Sequence, residues 1–345
     1  MPTRPVPIAD VRRLSHEALA ASGIPADDRD PIVDVLLLAD LFGIHTHGVH
    51  RIPQYLSRIA AGGVNARPDI AVRRLAPALA TVDGDNGLGP LVGTRALRCA
   101  LGRGREAGVG AVFVKGSNHF GPVMPYLYQA AGEGFAAIIA SNATTTIAPY
   151  GGRATMVGNN PIGIGVPCPG GDPVLTDIAL SVAARAKIRA AKAAGEAIPE
   201  SWATDAEGVP TTDPAAALNG FLQPIAGHKG YGLSVMIDLL AGALSGAAYL
   251  DRVSSWSENP EQPQDLGHFF IVVDTALLGS AEERAERVSD FRARLLATPA
   301  ADPDRPVQLP GQRELENHRR QSAEGVDIEI ADLEALRNLA RASTS

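Results

Sequence analysis

The chain has 345 residues, of which 45% are hydrophobic and 20% are charged, a balance typical of a folded globular protein rather than a disordered one. Its net charge of −7 argues against nucleic acid as a partner, because phosphate contacts need a basic face. The sequence lacks an apolar run of membrane-spanning length and a secretory signal, and Cys99 and Cys168 define no disulfide framework, so we expect a cytoplasmic protein.

The first part of the chain predicts helices. Apolar residues recur at helical spacing over residues 11–21, and a second helix is expected over 25–43, where acidic residues suit its positive end. A third helix is expected over 51–61, where Gly62 and Gly63 end it.

From residue 68 on, short β-like runs alternate with helices, which is typical of an α/β protein. Two polar segments that contain proline, 197–220 and 254–265, are predicted to be loops. Strands are predicted over 80–82, 111–114, 135–140, 162–166, 174–176 and 269–273, and helices over 91–107, 122–132, 180–194, 231–244, 282–297 and 330–342.

The densest chemical signal is a cluster of three histidines, His45, His47 and His50, followed by Arg51. Imidazole suits proton transfer near neutral pH, and the guanidinium fork matches a carboxylate. If a helix begins near His47, Arg51 lies four residues further on the same face, so that both side chains would meet one substrate. The alternative is a polar helix start with solvated histidines, or an Arg51 paired with an acid such as Asp40.

The same cluster also allows other functions. Its HxHxxH spacing is similar to that of zinc ligands, which keeps a metal-dependent hydrolase open, although no acid follows as in HxHxDH and no HExxH occurs. A ligand-binding protein without catalysis is a further alternative.

Several glycine-containing turns could let a ligand approach the backbone. Residues 115–122 follow a predicted strand and precede a helix, which places His119 where the strand ends. Further glycines lie in 151–165 and 227–232, the latter with Lys229 before an apolar helix. The fingerprints GxGxxG, GxxxxGK[ST] and GxSxG are all missing, so a dinucleotide would need a fold other than the Rossmann fold.

These motifs, taken together and in this order, resemble the type 2 malate/L-lactate dehydrogenase family along nearly the whole chain. The motifs that carry the resemblance are residues 45–51, 116–121, 158–161, 175–179, 227–233 and 310–314. The resemblance implies an α/β (α+β) chain with a non-Rossmann nicotinamide-binding fold and a mostly antiparallel sheet. It also implies a helical domain built from both termini (1–70 with 285–345), an α/β domain for cofactor and substrate (71–284), and a homodimer with its site near the subunit interface.

The resemblance assigns roles by position. His47 is expected to be the catalytic acid/base, assisted by Thr46, where many members have serine. Arg51 is expected to bind the substrate carboxylate, with His119 and Asn159 as further substrate contacts. No metal ligand is expected. The expected cofactor-binding residues are His119, Phe120, Gly121, Pro122, Asp177, Ile178, Ala179, Lys229, Gly230, Pro310, Gly311 and Gln312.

The implied reaction is hydride transfer between a 2-hydroxy acid, similar to malate, lactate or sulfolactate, and NAD or NADP. Cyclic imino-acid reductases of the family are the alternative on the same fold. They carry an aspartate after the strip that matches 177–179, whereas residues 184–187 contain no acid here. The sequence favours neither NAD nor NADP and does not identify the acid.

Overall fold

The computed structural model describes residues 3–342, and its elements follow the predicted alternation of helices and strands. The first half contains β1 (Thr3–Val6), α1 (Ile8–Ala20), α2 (Ala26–Leu41), α3 (Ile52–Ala60), β2 (Ala71–Arg74), β3 (Leu79–Asp83), α4 (Gly89–Ala107), β4 (Val109–Ser117), α5 (Met124–Gly132), β5 (Phe135–Ser141), β6 (Thr145–Ile147), β7 (Val157–Gly158) and β8 (Ile162–Val166). The second half contains β9 (Val174–Ile178), α6 (Arg185–Ala194), α7 (Pro214–Asn219), α8 (His228–Ile237), β10 (Leu266–Asp274), α9 (Ala281–Leu296), α10 (Gln312–Glu324), β11 (Val326–Glu329) and α11 (Ile330–Ala342).

The centre of the protein is a seven-stranded sheet in the order β2-β3-β4-β10-β5-β8-β9. Only β3 and β4 run parallel, and every other neighbouring pair in this sheet is antiparallel. The expected mixed α/β chain with a mostly antiparallel sheet is therefore confirmed. In β10, Phe270 is fully buried and lies opposite Val112 of β4 and Ile139 of β5.

Helices α4 and α5 cover one face of this sheet and form the main core with it. Alternate residues of β4, among them Val112 and Val114, point into this core, as the period of two in a strand requires. On β8, a Cβ at Gly163 would lie 2.7 Å from Leu127 of α5. The glycine in this strand thus allows the helix to pack closely on the sheet.

The two ends of the chain meet in a second core. Strand β1 pairs antiparallel with β11, and α1 packs against α11. Val11, Ile52 and Leu333, from three separate parts of the sequence, are buried there together. This confirms the helical part built from both termini, while the domain boundaries given above remain a prediction.

Three predicted elements need correction. The helix predicted over 180–194 begins only at Arg185, because the Leu180 and Val182 amides bond to Asn159 and Gln223 instead of to a preceding turn. The helix predicted over 231–244 starts earlier, at His228, and continues beyond Ile237 as a π-helix. The loop predicted over 197–220 contains the short helix α7.

No helix in the described range 3–342 has the length and apolar character needed to cross a membrane. Cys99 and Cys168 are both free thiols.

Candidate active site

The histidine cluster lies on the connection between α2 and α3, wrapped around the buried carboxylate of Asp40. Oδ2 of Asp40 accepts a hydrogen bond from the Val49 amide at 2.8 Å, and Oδ1 lies 3.2 Å from Nδ1 of His45. A Cβ on Gly48 would lie only 2.0 Å from Oδ1 of Asp40, so this position requires glycine. The chain is extended at Gly48, and α3 begins only at Ile52. The expectation that one α-helix presents both His47 and Arg51 is therefore wrong.

Thr46 nevertheless connects the two side chains. Its hydroxyl lies 2.8 Å from Nδ1 of His47, and its carbonyl accepts a hydrogen bond from Nε of Arg51 at 2.6 Å. Nη1 of Arg51 also donates to Gln54, whereas Nη2 has no hydrogen-bond partner in the described part of the chain. The guanidinium is thus held through Nε and Nη1, and Nη2 is available to a carboxylate. Arg51 does not pair with Asp40.

His119 completes the group immediately after β4. Its ring stacks on that of His47, with centroids 5.3 Å apart, and its Nδ1 lies 2.9 Å from the hydroxyl of Tyr55. On another side, the indole of Trp256 stacks on His119 at 4.6 Å and lies 5.1 Å from the guanidinium carbon of Arg51. The structure therefore brings together three predicted side chains, those of His47, Arg51 and His119.

The sequence analysis missed Tyr55 and Trp256. Tyr55 follows Arg51 by four residues in α3, a spacing that could have indicated it. Trp256 lies in the polar loop 254–265, far from the histidines in sequence, and no local pattern singles it out.

Both imidazoles are neutral at pH 7. Burial, together with the charges of Arg51 and His50, lowers the pKa of His47 to about 4. Burial also lowers the pKa of His119 well below its ordinary value, with contributions from His47 and Arg51. In each ring Nδ1 has a hydroxyl partner, whereas Nε2 has none among residues 3–342. A neutral imidazole with one open nitrogen can accept a proton from a bound hydroxyl group.

The residues after His119 connect the site to the end of β9. Phe120 is buried, and the hydroxyl of Tyr126 donates to its carbonyl at 2.6 Å. At the start of α5, the Met124 amide donates to Oδ2 of Asp177 at 2.9 Å. Burial raises the pKa of Asp177 to about 6 despite this bond. The strip 119–122 and the strip 177–179 are thus neighbours, although the Asp177 carboxylate is engaged by a helix terminus.

The remaining predicted cofactor positions flank the same strand. The Pro310 carbonyl accepts a hydrogen bond from the Leu175 amide, which places 310–312 beside β9. On the other flank, the Leu180 amide donates to the Asn159 carbonyl. The Leu180 carbonyl accepts a hydrogen bond from the Ile225 amide, and Ile225 packs against Gly230. Lys229 is exposed at the start of α8. No hydrogen bond in the described structure joins Lys229 or the Asn159 side chain to the two histidines.

The three clustered histidines do not converge on one point. His45 contacts Asp40, His47 contacts Thr46, and His50 lies 3.4 Å from Asp332 of α11. Over residues 3–342, no group of three or more His, Cys, Asp or Glu side chains is arranged to hold a metal ion. In the described structure, the three histidines of the HxHxxH spacing are therefore not arranged around a common point.

Known proteins share both sequence and fold with this chain. A family model described as malate/L-lactate dehydrogenase matches residues 6–337. The chain belongs to the malate/L-lactate dehydrogenase family. An L-sulfolactate dehydrogenase of Methanothermobacter thermautotrophicus is 37% identical over 95% of this chain and 94% of its own length. The crystal structure of a malate dehydrogenase from Entamoeba histolytica has a TM-score of 0.92 and 27% identity, and the match covers 100% of this chain and 99% of that one.

Members of the family differ in their named substrates and cofactors. A ureidoglycolate dehydrogenase (NAD(+)) of Escherichia coli K12 is 32% identical over 92% of this chain and 90% of its own length. A (2R)-3-sulfolactate dehydrogenase (NADP(+)) of Chromohalobacter salexigens is 34% identical over 97% of this chain and 98% of its own. Membership alone therefore identifies the class of reaction but not the acid.

Proposed function

We propose that the protein oxidises a 2-hydroxy acid of the malate, lactate or sulfolactate type to the 2-oxo acid with NAD or NADP, and catalyses the reverse reduction. The observation that carries this proposal is the pairing of His47 with Arg51 through Thr46. One short segment thus carries an uncharged imidazole and a cation whose Nη2 has no partner within residues 3–342, which supports the proposal.

We assign the roles of Arg51 and His47 from the nitrogen atoms that have no protein partner. Nη2 of Arg51 donates to the substrate carboxylate, which fixes the acid relative to His47. With Nδ1–H of His47 donated to the Thr46 hydroxyl, Nε2 presents its lone pair and takes the proton of the C2 hydroxyl group. The bound nicotinamide supplies the hydride acceptor for the hydrogen on C2. In the reverse direction, His47 returns the proton to the carbonyl oxygen.

The start of α8 fits the phosphate part of a dinucleotide. Gly227 has a φ of +61°, and a Cβ there would meet nothing within 4 Å, so the approach is open. A helix N-terminus attracts anions, and the exposed Lys229 adds a positive charge. The exposed Ile178 at the end of β9 offers an apolar surface nearby. We assign the cofactor to the strips 119–122, 177–179, 229–230 and 310–312.

We also propose that the protein forms a homodimer through the outer face of α8 and the π-helix that follows it. This helix is apolar on both sides. Ile237 and Ala241 face the sheet, while Leu233, Met236 and Leu239 are 41%, 53% and 46% exposed. A helix that is apolar all round is normally buried. Met236→Lys is expected to give monomers in sedimentation analysis, and a variant that remains dimeric would overturn this assignment.

A cytoplasmic location is part of the proposal, since both cysteines are free thiols in the structure. The function itself is tested by a panel of 2-hydroxy acids, each assayed with NAD and with NADP by the absorbance of the reduced nicotinamide. We expect turnover of at least one acid. Failure with the whole panel, together with no binding of either reduced cofactor by fluorescence, would favour a binding protein without catalysis. Reduction of cyclic imines alone would favour the imino-acid reductases.

A further inference from the structure

The indole of Trp256 forms a wall beside the side chains of Arg51 and His119. It stacks on the ring of His119 with an interplanar angle of 26° and lies over the guanidinium group of Arg51. A carboxylate held by Arg51, with its C2 hydroxyl group near His47, therefore has the indole beside the rest of its carbon chain. Neither the resemblance nor the comparisons assign a role to this residue.

A buried arginine holds the loop that carries Trp256 in place. Arg58 is 2% exposed, and its guanidinium donates to the Gln262 carbonyl at 2.7 Å and to Oε1 of Gln264 at 3.3 Å. The same Gln264 oxygen accepts a hydrogen bond from the His119 amide. A Cβ on Gly63 would lie 2.0 Å from the Pro260 carbonyl, so the loop lies tightly against the end of α3. The wall is thus built into the site.

Within residues 3–342, Arg51 contacts the indole of Trp256 and Arg58 contacts the loop that carries it, and these two cations differ in their free donors. Nη2 of Arg51 has no protein partner there, whereas the two Nη atoms of Arg58 together donate to four protein oxygens. The other side chains that bond to Arg51, Arg58 or the two neutral imidazoles are uncharged, and they are those of Thr46, Gln54, Tyr55, Asn118 and Gln264. The face of an indole is electron-rich and attracts cations, so it opposes an anion placed against it.

The geometry points to Trp256 as a specificity-determining residue that selects 2-hydroxy acids with an uncharged substituent at C3 over acids with a second anionic group. This inference rests on the proposed function and extends it to a substrate class. The single carboxylate is satisfied by Arg51, and the uncharged C3 group packs on the indole. No cation among the residues described above would pair with a second carboxylate or a sulfonate placed there, so its desolvation would be uncompensated.

The test compares lactate and 2-hydroxybutyrate with malate in the wild type, Trp256→Phe and Trp256→Lys. We expect the wild type to favour the uncharged acids by at least about tenfold in kcat/KM, since a buried unpaired group carries a penalty of this size. Trp256→Phe, which keeps an aromatic wall and guards against misfolding, retains the preference. Trp256→Lys shifts the ratio toward malate by about tenfold or more. Equal or greater use of malate by the wild type, or an unchanged ratio in Trp256→Lys, would overturn the inference.

A binding measurement separates this inference from the proposed reaction. The chain's only other tryptophan, Trp202, packs in a separate small core, so Trp202→Phe leaves Trp256 as the sole tryptophan and serves as the matched control. We expect the Trp256 emission to respond to 2-hydroxybutyrate at a lower concentration than to malate, without cofactor. If the variant shows this order but no acid is turned over, the proposed reaction fails and the selectivity stands. The reverse order would refute the selectivity whatever the activity.

Discussion

Two adjoining sets of histidines in this protein differ in what surrounds their ring nitrogens. His268, in the middle of the sheet, is fully buried, and both of its nitrogens lie 2.8 Å from serine hydroxyls, those of Ser141 in β5 and Ser117 in β4. His47 and His119, at the end of the same sheet, each have one hydroxyl partner and one open nitrogen. The first set, His268 alone, thus has both ring nitrogens hydrogen-bonded, whereas each histidine of the second set has one unbonded nitrogen.

The two sets touch through consecutive residues, because Phe120 stacks on His268 at 4.3 Å while His119 stacks on His47. Burial lowers the pKa in both sets, to about 3 for His268 and about 4 for His47. A lowered pKa is therefore common to both and does not identify the chemistry. The difference lies in the free nitrogen beside a cation, which only the second set has.

We expect the largest effect on turnover when the unbonded Nε2 of His47 is removed. His47→Ala is expected to lower turnover by about 10²–10⁴-fold, the usual contribution of a positioned general base, while the affinity for reduced cofactor stays unchanged. Steady-state kinetics and cofactor fluorescence measure the two quantities. His50→Ala, on the same loop but directed at Asp332, is the control and should keep its turnover. A loss of less than about threefold in His47→Ala would remove it from proton transfer.

Substitution of His268, whose two ring nitrogens are both hydrogen-bonded, should lower stability rather than turnover. His268→Ala removes one hydrogen bond from each of two buried serine hydroxyls and opens a cavity, so we expect the free energy of unfolding to fall by about 2–4 kcal/mol. Denaturant titration measures the change, and the folded variant should keep far more activity than His47→Ala. A stable His268→Ala protein whose turnover matches that of His47→Ala would erase the distinction between the two sets.

The pH dependence of stability follows from the same pair. A histidine whose pKa is lower in the folded than in the unfolded state stabilises the fold fully above pH 6.5, and this contribution is lost as the pH falls toward the folded pKa. His268 and His47 therefore stabilise the fold above pH 6.5, and their contribution is lost between pH 6.5 and about 3 to 4. We expect a smaller decline of the unfolding free energy over this window in His268→Ala than in the wild type. Parallel curves would contradict the burial of a neutral ring.

Arg51→Lys is expected to have a smaller effect than His47→Ala. Lysine keeps the charge but cannot bond to Thr46, Gln54 and a carboxylate at once, since it lacks the planar fork. Losing a charge-assisted bond costs about 1.5–3 kcal/mol, so kcat/KM for the acid should fall by about ten- to a hundredfold, mainly through KM. Cofactor binding should not change. An unaltered kcat/KM would place Arg51 outside the substrate site.

The smallest expected effect is that of metal removal. The three clustered histidines contact three different partners, so dialysis against EDTA should leave turnover unchanged. Elemental analysis of the dialysed protein accompanies the assay. Stoichiometric zinc whose removal abolishes activity would restore the hydrolase alternative.

The sequence predicted the parts of this site that depend on nearby residues. Helical periodicity located α2, and the run before Lys115 located β4, so the histidine cluster and His119 were placed at the ends of the correct elements. The sequence could not show the break at Gly48, because that break depends on a contact with the buried Asp40.

The features that the sequence analysis missed depend on contacts between distant segments. The serine partners of His268 lie in two other strands, and Trp256 reaches His119 from a loop whose composition predicts only solvent exposure. Only the fold brings these segments together, so the sequence does not predict the contacts of Trp256 or of His268. The resemblance named the pair His47 and His119, and the structure shows which of their atoms remain free.

The central claim, that His47 is an uncharged proton acceptor next to a carboxylate-binding arginine, is tested most directly by a titration of its ring. Selective ¹³C labelling of histidine, with His47→Ala to assign the signal, gives its pKa by NMR with and without a bound 2-oxo acid. We predict a pKa of about 4 in the free protein. We expect it to rise when the bound carboxylate neutralises the charge of Arg51. A pKa at or above the ordinary 6.5 in the free protein, unmoved by the acid, would contradict the account.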